Sequence, residues 1–232
     1  MKKIRKILAI APGCLAAMLY GGNLLADLSD VYVGMDLLKT NYATKDRYGS
    51  NVFAKNPMAF NAFVGYKLPH NLFIEAGYER SKSKSRTVNG VDWGDLPGAY
   101  PSIPRGLATM NVETRIKIEH PYVGIGISCP LSFVNNTTVS GLVGLSSTRL
   151  RANLNDIDDH SNDSSFSKRK VNPLVKASLN HSISNSFDVH FTASWHKLTN
   201  FKLKTEQAPN GPLELRMKNG YAFGLGLTYY FS

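Results

Sequence analysis

From Leu213 to Phe231 the chain alternates between two kinds of side chain for nineteen residues. Leu213, Leu215, Met217, Tyr221, Phe223, Leu225, Leu227, Tyr229 and Phe231 hold odd positions, while Glu214, Arg216, Lys218, Gly220, Gly224, Gly226 and Thr228 hold even ones. A period of two is the signature of a strand with one apolar face and one small or polar face. Strands of soluble proteins usually run about 5–6 residues. A strand several times that length is hard to place in a soluble domain.

The same alternation returns along the chain. Val31, Val33, Met35 and Leu37 form one apolar row, Met58 to Tyr66 a second, and Leu72, Ile74, Ala76 and Tyr78 a third. Met110, Val112, Ile116 and Ile118 open a fourth strand, whose apolar set moves to Val123, Ile125 and Ile127 past Pro121. A β-bulge at His120-Pro121 is expected there, since one extra residue swaps the two faces. A turn at that point is the alternative, and it would raise the strand number. Val139 to Leu145 is a fifth strand, interrupted by Leu142, followed by Val171 to Leu179, Phe187 to Trp195 and the closing run.

Connections alternate in length. Pro69-His70-Asn71, Ser132 to Asn136 and Ser182 to Ser186 are short and rich in turn formers, whereas 43–57, 81–109, 151–168 and 199–212 are long and polar. The chain thus predicts an all-β fold: an eight-stranded antiparallel up-and-down transmembrane β-barrel with four long extracellular loops and short periplasmic turns. Lipid offers backbone groups no partners, so a sheet in a bilayer must close on itself. A soluble barrel of the lipocalin type would turn the apolar face inward. The Gly, Ala and Ser of the polar face and the aromatic ends of the last strand favour the membrane form. Glu75, Glu79, Glu113, Arg115, Lys117, Lys176, Asp188, His190 and His196 are expected to fill the narrow lumen as ion pairs.

Compartment is read from the N-terminus. Residues 1–26 have a basic start (Lys2, Lys3, Arg5, Lys6), an apolar stretch and a cleavage sequence Leu24-Leu25-Ala26, the layout of a secretory signal peptide. Lipidation of Cys14 is a rival reading, but Ala11-Pro12-Gly13 matches that pattern poorly. The barrel domain is then 27–232. Of the formal net charge of +10, four positive charges belong to the leader, which leaves 23 basic against 17 acidic side chains, a net +6. Only Cys129 survives cleavage at Ala26, as a lone thiol without a Cys-His pattern beside it.

Ala62-Phe63-Val64-Gly65-Tyr66, Phe73-Ile74-Glu75-Ala76-Gly77-Tyr78, Pro121-Tyr122-Val123-Gly124-Ile125-Gly126 and the closing Tyr221 to Phe231 give the chain a family likeness. It resembles the small eight-stranded outer-membrane proteins of the OmpA transmembrane-domain, OmpX and opacity-protein type. Those proteins commonly end in Phe, whereas here Ser232 follows Phe231. The resemblance implies insertion into the bacterial outer membrane by the barrel-assembly machinery, contact with lipid and lipopolysaccharide, and a monomer. It also implies a surface role in which the extracellular loops mediate adhesion to, or invasion of, host cells through a receptor or glycan. A structural role in envelope integrity is the alternative, and a lipid A-modifying enzyme a third.

Loop chemistry fits such a role. The 81–109 segment carries the candidate contacts Lys82, Lys84, Arg86, Trp93, Tyr100 and Arg105, and basic groups at an outer rim suit phosphates or anionic glycans. No catalytic residue is assigned: Ser194 and His196 share a strand face with Asp188 and His190, but polar residues alternate on a lumen face in any case. No cofactor or metal is expected. Asp156, Asp158, Asp159 and His160 cluster in one loop and read as a solvated surface. No nucleic-acid module is present.

Overall fold

A computed structural model of the chain describes residues 28–45, 57–82, 84–92, 109–157, 164–198 and 216–231. A three-residue 3₁₀ turn, Leu28–Asp30, leads into nine β-segments. These are β1 Val31–Lys45, β2 Met58–Lys67, β3 Leu72–Ser81, β4 Lys84–Asp92, β5 Thr109–Pro130, β6 Thr137–Asp156, β7 Ser164–Ser182, β8 Phe187–His196 and β9 Arg216–Tyr230.

All pairings are antiparallel and join sequence neighbours, except where the sheet closes. β1 zips to β9 from Tyr32 opposite Tyr230 onward, and β3 pairs with β5 from Leu72 opposite Ile127 to Arg80 opposite Glu119. β4 continues along the same edge of β5, from Lys84 opposite Ile116. Between those two pairs the β3–β4 line advances four residues and β5 only three. β3 and β4 are therefore one strand broken by a single extra residue, and the ring has eight strand positions. Ser81 bridges the break, its Oγ accepting the Ile118 N–H at 2.8 Å. The turns at Pro69 to Asn71, Ser132 to Asn136 and Ile183 to Ser186 share one end with Leu28–Asp30 and Phe231. His70, Asn71 and Asn136 adopt positive φ there (64°, 60° and 57°), a conformation that Asn tolerates better than most residues.

The barrel is inside-out. Met35, Leu37, Phe60, Val123, Val143, Leu145, Val171, Phe191 and Leu225 are exposed, while Asp36, Glu75, Glu79, Lys176, Asp188, His190 and His196 are buried. An apolar belt facing outward and a polar interior are what a bilayer requires.

The strands on one side outrun the belt. β5, β6 and β7 have 22, 20 and 19 residues. At about 3.3 Å per residue and a tilt near 45°, β5 rises roughly 50 Å, against about 30 Å of hydrocarbon. The surplus stands outside the membrane, and there the faces exchange chemistry. Ile116, Ile118, Leu150 and Ala152 are buried in the upper barrel, whereas Arg115 and Arg151 stand outside.

This corrects the reading of β5. No bulge occurs at His120-Pro121: the register with β6 is continuous from Val112 opposite Asp156 to Pro130 opposite Thr138. Even positions 116, 118, 120 and 122 are all buried. The apolar set changes face because the strand leaves the lipid, so its outer face meets water and its inner face a packed core. For the same reason Glu113, Arg115 and Lys117 lie on the outer side and not in the lumen. Two loops also shorten, since β4 occupies part of 81–109, and β6 and β7 take most of 151–168.

Candidate functional site

Two constellations result, one within the lumen and one around it. The lumen is plugged by Tyr32, Phe63, Phe73, Tyr122, Leu142 and Leu174. Gly65 exists for this plug, because the Tyr32 ring lies where its Cβ would be. Among these rings, Lys176 Nζ reaches Glu75 Oε1 at 3.0 Å and Asp36 Oδ2 at 3.6 Å, and sits 4.2 Å from the Phe63 ring centre. Tyr122 donates to Glu75 Oε1 at 2.8 Å, Tyr32 to Oε2 at 3.3 Å, and Asn61 to Asp36 Oδ2 at 2.7 Å. His190 Nε2 closes on Asp36 Oδ1, and its Nδ1 lies 3.2 Å from Thr228 Oγ1. Buried charges are tolerated only when paired and hydrogen-bonded, and this network pairs them.

One layer higher, Glu79, His120 and His196 meet under Tyr42. Glu79 and His120 are cross-strand partners on β3 and β5, while His196 reaches over from β8. Tyr42 donates to Glu79 Oε1 at 3.0 Å and lies 3.1 Å from His120 Nε2, and His120 Nδ1 is 2.8 Å from Thr148 Oγ1. Of the residues expected in the lumen, Glu75, Glu79, Lys176, Asp188, His190 and His196 are there. Asp36 and Asn61, on the polar faces of their strands, join them, as do Tyr42, His120 and Tyr122, which were not foreseen. Ser194 and Glu79 do not make a hydrolytic triad with His196: both contact the same nitrogen, Nε2, at 3.5 and 3.4 Å. A triad uses one nitrogen for the nucleophile and the other for the acid.

The second constellation rings the outside just above the belt. Arg80, Glu119, Arg149 and Arg169 are successive cross-strand partners on β3, β5, β6 and β7. Lys117 opposes Arg151 in the next row up. Two pairs of like charge therefore face each other directly, Arg149 with Arg169 and Lys117 with Arg151, an arrangement that is destabilising on its own. Glu119 is the one acid in these rows, 3.0 Å from Lys117 Nζ and 3.9 Å from Arg151 Nη2. Partial burial would raise its pKa, but the hydrogen bond from Lys117 and the charges of Lys117, Arg151 and Arg149 outweigh this and hold the carboxyl below its usual range. Five cations and one carboxylate in these two rows leave a strongly positive outer patch.

Of the candidates read from sequence, Lys82 is exposed at the end of β3, and Lys84 and Arg86 belong to β4 and not to a loop. Trp93, Tyr100 and Arg105 lie outside the described residues. The collar of Arg80, Lys117, Arg149, Arg151 and Arg169 was missed, although its signal was present: each basic residue continues the parity of the apolar row below it. The signal peptide and the acidic 158–160 segment also fall outside the described residues.

A closed antiparallel barrel with an apolar exterior and a charged, hydrogen-bonded lumen defines a bacterial outer-membrane barrel. The chain belongs to the outer membrane protein beta-barrel domain family, whose model matches residues 13–231. Similar folds include Ail, the attachment invasion locus protein of Yersinia pestis, in complex with the heparin analogue sucrose octasulfate (15% identity, 87% of this chain and 97% of that one, TM-score 0.50). Neisserial surface protein A is similar at 13% identity over 87% and 97% of the two chains, TM-score 0.53. So is the outer membrane protease OmpT from Escherichia coli, at 12% identity over 90% and 99%, TM-score 0.53. No curated protein matches the chain.

Proposed function

We propose that this barrel is a surface attachment protein that engages anionic glycans of host cells through its extracellular part. The observation that carries the reading is the cationic collar above the belt, where like charges face each other and the one carboxylate, Glu119, pairs with Lys117 and Arg151. Such a surface gains stability from a polyanion and attracts one from a distance. Ail, a fold relative, binds a heparin analogue and is named for attachment and invasion, which supports the same direction. Lys82, Lys84, Arg86, Trp93, Tyr100 and Arg105 are further candidate contacts for the same ligand, on their basic and aromatic chemistry.

The test is attachment of bacteria displaying the chain to heparin-coated surfaces and to host cells. Residues 84–92 pair with β5, so a loop deletion must be confined to 93–108 to spare the barrel. The combined substitution Arg149→Gln, Arg151→Gln and Arg169→Gln is expected to lower heparin retention about tenfold with normal surface display. Unchanged attachment in both strains would defeat the reading.

A second reading rests on the height of the collar. Arg80, Arg149 and Arg169 sit within one or two outward positions of Tyr78, Leu145 and Val171, the level of lipid phosphates. There the same charges would hold lipopolysaccharide and stabilise the envelope. The triple variant would then sensitise cells to detergent while leaving attachment intact.

A further inference from the structure

We propose that Glu79, His120 and His196 form a binding site for a first-row divalent transition-metal ion of the zinc type. All three side chains are buried, and each offers a ligand atom within 4.8 Å of the others. Two imidazoles and one carboxylate suit zinc-type ions, whereas calcium and magnesium take all-oxygen sets. A tetrahedral ion with bonds of about 2.0–2.1 Å holds its ligand atoms roughly 3.3 Å apart, so the two stacked imidazoles must swing apart to aim at one ion.

The groups around the three residues support that assignment. Thr148 at 2.8 Å occupies His120 Nδ1, and Tyr42 at 3.0 Å occupies Glu79 Oε1 and leaves Oε2; His120 Nε2 meets the Tyr42 hydroxyl at 3.1 Å, a contact that the ion would replace. Outer partners of this kind fix the tautomer and orientation of metal ligands. Direct hydrogen bonding holds Glu79 and His120 through Tyr42 and Thr148 but leaves His196 weakly held. His196 Nε2 lies 3.4 Å from Glu79 and 3.5 Å from Ser194, its Nδ1 has no partner among the described residues, and its ring stacks on His120 at 4.4 Å. A buried imidazole so weakly satisfied is unfavourable. A small cavity lined by Glu79, Ser194 and His196 adjoins the cluster, with room for about one water as a fourth ligand. The ion would tie the β3–β5 wall to β8 across the lumen, at the top of the bilayer.

The experiment uses the full barrel refolded in detergent micelles, stripped with EDTA and titrated with ZnCl₂, with MgCl₂ as the hard-ion control. One zinc per chain after desalting, and a raised unfolding temperature with zinc but not magnesium, are expected. Glu79→Gln keeps the Tyr42 contact and His196→Gln keeps much of the volume, and each should weaken zinc binding at least about tenfold. His181→Gln, at the periplasmic end beside Thr137, should leave binding unchanged. Cobalt(II) reads the site with no substitution at all: intense tetrahedral absorption bands support it. Failure of the wild-type chain to retain zinc, equal retention by both folded variants, or only the weak bands of aqueous cobalt would overturn the proposal.

Discussion

Gly226 sits in a crowded part of the lumen. A Cβ there would overlap Asp36 Oδ1, His190 Nε2 and the Met35 carbonyl oxygen, so the Asp36–His190 pair exists because this position carries no side chain. Gly141 is the natural comparison, with nothing within 4 Å of its would-be Cβ. Gly226→Ala is expected to destabilise the barrel by about 1–3 kcal/mol, the usual penalty of overpacking. Gly141→Ala should stay within about 0.5 kcal/mol of wild type. Urea unfolding of the barrel in lipid vesicles separates the two, and equal midpoints would refute the account. At this scale the sequence is only half informative. That Glu75, Glu79 and Lys176 face inward follows from parity alone. That Asp36 meets His190, 154 positions away, requires the three-dimensional register.

Each strand is a depth gauge. On β6 the outer row passes from Val139, Val143 and Leu145 through Ser147 to Arg149 and Arg151 without changing parity. Val143→Lys places a charge near the middle of the belt and should cost about 2–4 kcal/mol, while Ser147→Lys, at its upper edge, should cost about 0–1 kcal/mol. The same unfolding assay checks the ratio, and equal effects would mean the belt is misplaced. Alternation made the strands readable, and the turn formers of the short periplasmic connections made their ends readable. The apparent phase change in β5 misled because polarity alone does not say which solvent a face meets. Two apolar runs of opposite parity on one strand can signal a bulge, or a straight strand passing from lipid to water. The Arg and Lys at the parity of the lower apolar row distinguish the second case, and they were the missed clue to the collar as well.

Taken as a whole, the molecule is a membrane-embedded cylinder that carries a positive rim. Anion binding at that rim should be electrostatic and fall steeply as NaCl is raised from 50 to 500 mM, because screening shortens the reach of exposed charges. Its pH response follows from Glu119, whose carboxyl is held below the usual range. Heparin affinity should therefore hold steady from pH 7 to about 5 and rise only below about 4.3, the ordinary value for Glu, as the lone anion is protonated. The stability that the ionised Glu119 lends its neighbours runs the other way: it is present above that value and is lost as the pH falls through the lowered one. Surface plasmon resonance on immobilised heparin measures the affinity, and a rise already between pH 7 and 5 would exclude Glu119 as its source.

The β1–β9 seam carries a consequence for biogenesis. Tyr32 and Tyr230 become neighbours only when the chain end meets its beginning, 198 positions away. Joining ends so far apart in an unfolded chain costs about 5 kcal/mol of loop-closure entropy. The cylinder cannot seal while its final strand is still missing, so an unfinished copy exposes two raw sheet edges to whatever surrounds it. A chaperone that hides those edges until the fifteen residues of β9 arrive is thus a demand of the topology itself.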